Sequence, residues 1–582
     1  MPHPTPASQN GTRRHSRKSN LQLFNALDIG SAFAPRGVHP RNCHLQLAAR
    51  WRRGQGRHMF AQASTGTVIG IEAHPIIVET RDTAGIPTTH LIGLARGAAR
   101  EAVIRVTAAI KGCALELLPG KRVINLLPAE LPKEASALDL GLAVSLLAAA
   151  GIVPTNSTVG RRFFGELNLR GGLEPVRGAV LIADLARSHG DREVLLPSCN
   201  AAEAAVIPNV RVVAISHLTE LVAYLRGELK LGAAKPQVNE AGESQSCFSQ
   251  VCGQTHAKRA LEIAAAGAHN ILMVGPPGSG KTMLARRLPG ILPPLSAEES
   301  IEVTRIHSAA GLLTNRPGLV QARPFRAPHH TASEAAICGG GSVPRPGEVT
   351  LAHRGVLFLD ELPELSRRAL ESLREPLEEG TIRVARASMS LSFPADVLLV
   401  AAMNPCPCGH FREPTHKEQQ GPMCMCSFDQ IHRYRARISG PLLDRIDLHV
   451  TVERVPFADY ARGEDEEPSG RIRDRVSNAR GLQSERLGAG RTNAAMNETE
   501  LRRDVPLDKQ GMGLIERAVG VDGLSTRGIN RVLKVARTIA DLDGGKAVLP
   551  QHLEEAISYR CSSSDPTELP GVFGDDELME VG

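Results

Sequence analysis

The stretch Ile271-Leu-Met-Val-Gly-Pro-Pro-Gly-Ser-Gly-Lys-Thr282 decides the fold of this chain. Its four leading apolar residues, Ile271–Val274, predict a buried strand, and the run Met283–Arg287 that follows predicts a helix. Between them lies the pattern Gly-x-x-x-x-Gly-Lys-Thr. A phosphate-binding loop requires this strand–loop–helix setting, so the sequence predicts such a loop.

The residue types of the loop suit a nucleoside triphosphate. Gly275, Gly278 and Gly280 would let backbone N–H groups approach the phosphates closely. Lys281 would reach the β- and γ-phosphates, and the Thr282 hydroxyl would bind Mg²⁺. The positive end of the following helix dipole attracts phosphate as well. We therefore expect ATP and Mg²⁺ as cofactors.

A second motif supports this expectation at Gly355-Val-Leu-Phe-Leu-Asp-Glu361, where an apolar run ends in two acids. Asp360 would hold Mg²⁺ through water, and Glu361 would orient the attacking water. The alternative is a buried strand with a solvated acidic end. The two motifs together favour an ATP-hydrolysing enzyme.

Length and composition bound the class of protein. The chain has 582 residues, enough for roughly three domains of ~150–200 residues. Its longest apolar run, Leu140–Val153, is too short to cross a bilayer, and no secretory signal is present. Eleven cysteines in a chain of this length do not form a small disulfide scaffold, so we expect a cytoplasmic protein without a membrane partner.

The charge is concentrated at the N-terminus. Residues 1–58 contain ten Lys or Arg and one acid, a net +9, so a whole-chain charge of +6 leaves −3 for the remainder. Bulk charge therefore gives no support for nucleic-acid binding by the body. We predict that residues 1–58 are a disordered basic extension. A DNA-binding arm is one interpretation; an extension without a role, ahead of a start at Met59, is the one we favour.

The body divides by composition into successive segments. Runs such as Val68–Ile71 and Ile76–Glu79 predict strands that alternate with helices, an α/β pattern. Ser525–Leu542 predicts a strongly amphipathic helix in a mainly helical C-terminal part. The predicted segments are an N-terminal domain at 59–228, a linker at 229–250, an α/β core at 251–487, a helical lid at 488–562 and an acidic tail at 563–582.

Six further motifs point to one family. They are the segments Asn125–Lys133, Gly165–Leu169, Val251–Gly267, Arg323–Thr331, Ala401–Gly409 and Ser439–Asp447. Together with the two nucleotide motifs they resemble the ComM/YifB proteins, the magnesium-chelatase-like AAA+ ATPases of bacteria. The resemblance extends from about Met59 to Arg560.

The resemblance implies an N-terminal domain similar to the proteolytic domain of Lon, of the S5 domain 2-like type. An AAA+ core with a parallel sheet and a helical lid would follow it. Proteins of this kind are similar to homo-hexameric rings with ATP at the subunit interfaces. The family also implies a DNA helicase that promotes branch migration during natural transformation and homologous recombination.

The resemblance further implies roles for three residues. Asn404 matches the sensor-1 position beside the γ-phosphate, where the alternative is an Asn that caps a strand end. Arg445 matches the arginine finger, which a subunit supplies to its neighbour's ATP. Arg527 matches sensor 2, which would tie the lid to the core.

The finger assignment leaves alternatives open. Asp444 would hold Arg445 in place, or the two would form only a surface pair worth ~0–1 kcal/mol. Arg435 and Arg437 also lie near this segment, and the sequence does not separate them from Arg445 as fingers.

Two segments are candidates for contact with DNA, single-stranded or branched. Gly339–Gly347 is a glycine-rich loop placed between the two nucleotide motifs. Thr381–Ser392 predicts a hairpin that carries Arg383 and Arg386. Arginines that contact phosphates would make binding salt-dependent. Solvated arginines on an exposed hairpin are the alternative.

Two tight cysteine pairs form the remaining candidate site, Cys406-x-Cys408 and Cys424-x-Cys426. Four thiolates suit tetrahedral Zn²⁺, although the usual knuckle has Cys-x₂-Cys spacing. His410 is a spare donor, as is His416. A redox pair and unligated cysteines are the alternatives.

Three functions compete for this chain: a DNA-translocating helicase, an ATPase that remodels protein partners as a chelatase motor does, and an ATP-dependent peptidase. A Lon-like peptidase needs a serine activated by a lysine. Ser136 is present, but Val180 stands about where the lysine belongs. We therefore expect a helicase, with protein remodelling as the alternative.

Overall fold

The structure is a computed structural model that describes residues 60–83, 85–237, 246–313, 318–341, 344–386, 389–411, 423–455 and 466–560. The predicted basic extension 1–58 and the predicted acidic tail 563–582 lie outside these residues. Part of the predicted linker 229–250 lies outside them as well.

A seven-stranded mixed sheet forms the N-terminal domain, with strand order β3-β4-β2-β1-β5-β8-β9. Strand β2 pairs antiparallel with both β1 and β4, and the remaining pairs are parallel. The strands are β1 Phe60–Ile69, β2 Glu72–Thr83, β3 Thr88–Ile92, β4 Lys121–Leu127, β5 Arg161–Phe163, β8 Glu193–Pro197 and β9 Arg211–Ile215, with the separate pair β6 Glu166–Leu167 and β7 Leu173–Glu174.

The predicted strand Val68–Ile71 was wrong in its extent. Gly70 has a φ of +63° and turns the chain there, so β1 ends at Ile69 and β2 begins at Glu72. The left-handed conformation favours glycine and breaks a strand that hydrophobicity alone predicts to continue.

The helices of this domain are α1 Arg96–Gly112, α2 Asp139–Ala149, α3 Ala179–Ser188, α4 Ser198–Ala204 and α5 Leu218–Leu225. Every residue of α2 is buried, which explains the long apolar run in the sequence. Position 180 holds a valine, which has no side-chain amine to activate Ser136, and this valine lies fully buried in α3. Among the described residues, no helix is long and apolar enough to span a bilayer.

A five-stranded parallel sheet forms the core of the second domain, with strand order β11-β14-β17-β10-β18. Its strands are β10 Ile271–Val274, β11 Phe325–Arg326, β14 Val356–Leu359, β17 Leu398–Met403 and β18 Leu448–Thr451. The carboxyl ends of parallel strands share one edge. The residues after β10, β14 and β17 are therefore brought together.

Two hairpins and nine helices complete this domain in the described residues. The hairpins are β12 Gly339–Gly340 with β13 Arg345–Pro346, and β15 Thr381–Arg386 with β16 Met389–Pro394, as predicted for the second. The helices are α6 Thr255–Gly267, α7 Lys281–Arg287, α8 Ala297–Ala310, α9 Glu334–Cys338, α10 Glu348–Leu351, α11 Arg367–Ser372, α12 Arg374–Glu379, α13 Phe428–Arg435 and α14 Gly440–Leu443.

The C-terminal part is helical, as predicted. Its helices are α15 Ser469–Leu487, α16 Glu498–Asp504, α17 Lys509–Asp522, α18 Thr526–Leu542 and α19 Pro550–Ser558. The amphipathic α18 buries Val532, Val535 and Ile539 in the same apolar core as β10 and α6. This packing holds the C-terminal helices on the parallel sheet.

Candidate active site

Backbone geometry explains the glycines of the predicted phosphate loop, which runs from the end of β10 into α7. Gly278 and Gly280 have φ values of +77° and +95°, conformations that favour glycine. At Gly275 the limit is space, because a Cβ would lie 2.1 Å from the carbonyl oxygen of Val452. These three positions allow the tight course of the loop.

Lys281 is buried at the mouth of the loop, with 8% of its surface exposed. Its Nζ donates to the carbonyl oxygens of Gly275 at 2.6 Å and Pro276 at 3.0 Å, and to Oδ1 of Asn404 at 3.3 Å. Burial lowers the pKa of Lys281 to about 8. A phosphate would offer this ammonium group stronger acceptors than the carbonyls it now contacts.

Oxygen donors that suit Mg²⁺ meet next to this lysine. The Thr282 hydroxyl donates to Oδ2 of Asp360 at 2.9 Å, and Oδ1 of Asp360 accepts from the backbone N–H of Glu361 at 2.9 Å. A hydroxyl and a carboxylate, completed by water and phosphate oxygens, are a common ligand set for Mg²⁺. The residues present therefore fit this ion.

Glu361 lies directly after Asp360 in a left-handed conformation, with a φ of +50°. Its Oε2 lies 2.9 Å from Nδ1 of His330. The Glu361 side chain is half exposed, and the His330 side chain is about one-third exposed. The sequence analysis did not single out His330. The sequence feature that could have identified His330 is the pair of histidines in Arg323–Thr331. This segment contains β11, the strand beside β14.

Asn404, the predicted sensor, follows β17 and reaches Lys281, as described above. The turn after it lies against the phosphate loop. Gly409 has a φ of +79°, and a Cβ there would lie 2.5 Å from Cδ of Pro277 and 3.8 Å from Cγ of Asn404. The structure thus brings the phosphate loop, Asp360, Glu361 and Asn404 to one edge of the sheet.

The predicted arginine finger lies in a separate cleft. Glu378, Asp444, Arg445, Arg527 and Arg531 line this cleft, and no residue of the phosphate loop does. Arg445 pairs with Glu378 and donates to the carbonyl of Pro441 at 2.7 Å. The predicted finger and the predicted sensor 2, Arg527, are therefore neighbours.

The structure changes two details of the finger prediction and leaves a third open. Asp444 lies 3.6 Å from Arg560, and the carboxylate that pairs with Arg445 is Glu378. Arg435 is only 5% exposed and donates to the Pro405 carbonyl at 3.1 Å, so it is poorly placed to reach a neighbouring subunit. Arg437 remains exposed and pairs with Glu364 at 2.7 Å.

The two candidate DNA segments are both hairpins in the structure. Arg383 on β15 is 65% exposed and pairs with Glu379 at 2.6 Å. Arg386 lies at the end of the same strand, and its side chain is outside what the structure describes. In the glycine-rich segment, Gly340 pairs with Arg345, and that arginine is exposed.

The four predicted metal-binding cysteines converge beside the sensor turn. The Sγ atom of Cys406 lies 3.3 Å from that of Cys408 and 3.7 Å from that of Cys424, and the last two are 3.6 Å apart. The sulfur of Cys426 completes the cluster, and the four sulfurs all lie within 4.8 Å of one another.

Comparison with known proteins agrees with this geometry. The profile described as magnesium chelatase, subunit ChlI, matches residues 247–460, that of its C-terminal region matches 466–560, and that of subunit ChlI of Mg-chelatase matches 78–200. A parallel sheet with a phosphate loop, joined to such a helical region, defines a magnesium-chelatase-like AAA+ protein.

Curated relatives narrow the class. The chain is 42% identical over 499 residues to Competence protein ComM of Haemophilus influenzae, covering 84% of this chain and 96% of that protein. It is 41% identical over 497 residues to YifB of Escherichia coli, with 85% and 96% covered. The magnesium-chelatase 38 kDa subunit of Cereibacter sphaeroides is 26% identical over 348 residues, with 56% and 94% covered. The chain belongs to the ComM/YifB family of magnesium-chelatase-like AAA+ proteins.

Proposed function

We propose that this protein is a cytoplasmic, ATP-driven DNA motor that works as a homo-hexamer and promotes branch migration in transformation and homologous recombination. The observation that carries the ATPase part is the meeting of Lys281, Thr282, Asp360 and Glu361 at one sheet edge. The name of the Haemophilus relative, a competence protein, supports the biological role.

Each residue of the site has a distinct part in the proposed reaction. Lys281 binds the terminal phosphates, and Thr282 with Asp360 holds Mg²⁺, which supplies positive charge against the triphosphate. Glu361 orients the attacking water once it is released from His330. Asn404, which already contacts Lys281, lies where its amide can hydrogen-bond the same water or the γ-phosphate.

The second cleft supports action between subunits. Three guanidinium groups face two carboxylates there, so the cleft has a formal excess of positive charge. Such a cleft attracts an anion, and no phosphate loop of its own subunit lines it. In the proposed ring, Arg445 and Arg527 therefore act on the ATP of the neighbouring subunit.

Protein remodelling is the second candidate, and the similarity to the magnesium-chelatase subunit favours it. The exposed Arg383 and Arg345 favour DNA, since exposed arginines can bind phosphates that pass along the surface.

The experiment that separates the two measures ATP turnover alone, with single-stranded DNA and with a branched duplex. A DNA motor should turn over several times faster with DNA and should move the branch of a four-way junction. If the protein hydrolyses ATP at the same rate without DNA and with either DNA, the result would contradict the proposed DNA motor and favour protein remodelling.

A further inference from the structure

The four-cysteine cluster has the dimensions of a metal site. A tetrahedral site with Zn–S bonds of about 2.3 Å places its sulfurs ~3.8 Å apart along each edge. The three sulfur–sulfur separations among Cys406, Cys408 and Cys424 run from 3.3 to 3.7 Å. A disulfide would need about 2.05 Å, and all four cysteines are free thiols in the structure.

The surroundings of the sulfurs suit negative charge. The backbone N–H of Phe411 donates to the sulfur of Cys406 at 3.3 Å, and the N–H of Cys426 donates to that of Cys424 at 3.4 Å. Such donors stabilise thiolates, as the protein environment does around metal-bound cysteines. The cluster contains sulfur only among the described residues, which favours Zn²⁺ over the oxygen-seeking Mg²⁺.

We propose that Cys406, Cys408, Cys424 and Cys426 bind one tetrahedral Zn²⁺, and that this metal fixes the sensor turn against the phosphate loop. The second half of the proposal deepens the proposed function and rests on it. The first half concerns metal binding alone.

The contacts around the cluster carry the coupling. Asn404 stands two residues before Cys406, and Gly409 follows Cys408 directly. Gly409 packs so closely on Pro277 of the phosphate loop that a Cβ would overlap it. Asn404 in turn contacts Lys281 at 3.3 Å. A metal that ties the two cysteine pairs together would therefore restrain both the sensor and the loop that binds phosphate.

A buried arginine anchors the other side of the turn. Arg435 donates to the carbonyl of Pro405, the residue between Asn404 and Cys406, and its guanidinium lies 5.4 Å from the ring centre of Phe411. The turn is thus held at both ends by protein contacts. The cysteines provide the restraint between those ends.

Metal content tests the first half. Full-length protein purified under reducing conditions should contain about one Zn²⁺ per chain by mass spectrometry, the stoichiometry of a four-cysteine site. The double variant Cys408→Ser with Cys426→Ser should lose it, and the control Cys199→Ser, an exposed cysteine of the N-terminal domain, should keep it.

Cobalt replacement makes this test independent of how the variants fold. Wild-type protein stripped of zinc and given Co²⁺ should show the intense visible and thiolate charge-transfer bands of tetrahedral sulfur coordination. No zinc in the purified protein together with no such bands would overturn the metal site. A covalent disulfide within the cluster in protein kept reduced would overturn it too.

The coupling is tested on wild-type protein stripped of zinc and returned to Mg²⁺. Hydrogen exchange in the peptides that cover 398–411 and 275–280 should accelerate, and added Zn²⁺ should reverse this. ATP turnover should fall by about tenfold, the usual scale for lost support around a site. Unchanged exchange after zinc removal would overturn the coupling. Because exchange does not require turnover, an inactive ATPase would contradict the proposed function without deciding the metal proposal.

Discussion

At the scale of single residues, the proposed site assigns nucleotide binding and hydrolysis to different side chains. Lys281 is buried and already surrounded by oxygen acceptors, whereas Glu361 is half exposed beyond the end of β14, which β17 separates from β10 in the sheet. Substitutions of the two should therefore give different defects, one in nucleotide binding and the other in hydrolysis.

Lys281→Ala should lose ATP binding, because the terminal phosphates lose their cation. Glu361→Gln should bind ATP as the wild type does but turn it over at least ~100-fold more slowly, since an amide cannot accept a proton from water. Nucleotide affinity by fluorescence and turnover by phosphate release check both. Glu364→Gln, a nearby exposed control, should behave as the wild type; equal turnover by Glu361→Gln would remove Glu361 from the mechanism.

His330 is expected to restrain Glu361 in the resting protein. An exposed pair of this kind is worth ~0.2–1 kcal/mol, so His330→Ala should raise turnover without DNA by about 1.4- to fivefold. His189→Ala is the control, because that exposed imidazole of the N-terminal domain contacts the Leu185 carbonyl at 3.0 Å. A decrease in basal turnover for His330→Ala would show that the imidazole assists Glu361 and does not restrain it.

At the scale of elements, the hairpin β15–β16 and the contact between α3 and α8 join the site to its surroundings. The hairpin presents Arg383 to solvent. Across the domains, the N–H of Gly178 donates to the Ser308 carbonyl at 2.9 Å, and that of Val180 to the Ser308 hydroxyl at 3.3 Å. The hairpin supports the first prediction at this scale, and the buried carboxyl of Glu203 on α4 supports the second.

Arg383→Ala combined with Arg386→Ala should abolish the stimulation of ATPase by DNA and leave basal turnover largely intact. The reason is that these side chains would hold phosphates and take no part in hydrolysis. The log–log salt dependence of DNA affinity should flatten by ~0.7–0.9 for each lost contact. Arg374→Ala, an arginine on the preceding helix α12, should change neither quantity. An unchanged salt slope in the double variant would remove the hairpin from the DNA path.

The carboxyl of Glu203 on α4 should make stability depend on pH. Burial raises its pKa to about 7 from 4.5, while its Oε1 accepts from Asn200 at 2.6 Å. A carboxyl with a raised pKa in the folded state holds its proton longer there than when unfolded. Its contribution is therefore most favourable below pH 4.5 and is lost as the pH rises to about 7.

Glu203→Gln should accordingly become more stable relative to the wild type as the pH rises from 5 to 8. Thermal unfolding of both proteins across this range measures the difference. Glu116→Gln, at an exposed position, should differ from the wild type in stability by the same amount at every pH in this range. A constant difference for Glu203→Gln as well would contradict the raised pKa.

At the scale of the whole molecule, the proposed nucleotide site of one chain lacks the arginines of the second cleft. Arg445→Ala subunits should assemble and bind ATP yet fail to hydrolyse it. Mixed with Lys281→Ala subunits they should regain some turnover, because an intact phosphate loop then meets an intact finger at some interfaces. The measurement compares ATP turnover of the mixture with that of each variant alone. Mass spectrometry of the intact assemblies verifies that they contain both variants. No recovery in verified mixed rings would contradict action between subunits.

The sequence by itself determined the α/β character of the two sheet domains, the helical C-terminal part, the glycine-rich loop between strand and helix, and the acidic strand end. These features depend on local chemistry: apolar runs that form strands, glycines at left-handed φ, and a helix that starts at Lys281. The family also followed from the sequence, since its motifs are contiguous. Among the predicted strands, Val68–Ile71 was wrong in its extent, because this hydrophobic run passes through the turn at Gly70.

The tertiary structure alone decided which distant side chains meet. It paired Glu361 with His330. It made Glu378, and not Asp444, the carboxylate that pairs with Arg445. It also brought four cysteine sulfurs within 4.8 Å of one another. Such contacts join segments far apart in the chain, and their distances depend on how the strands are ordered and how the helices pack on them. Sequence patterns specify the elements, but the packing of those elements sets the side-chain geometry on which the chemistry depends.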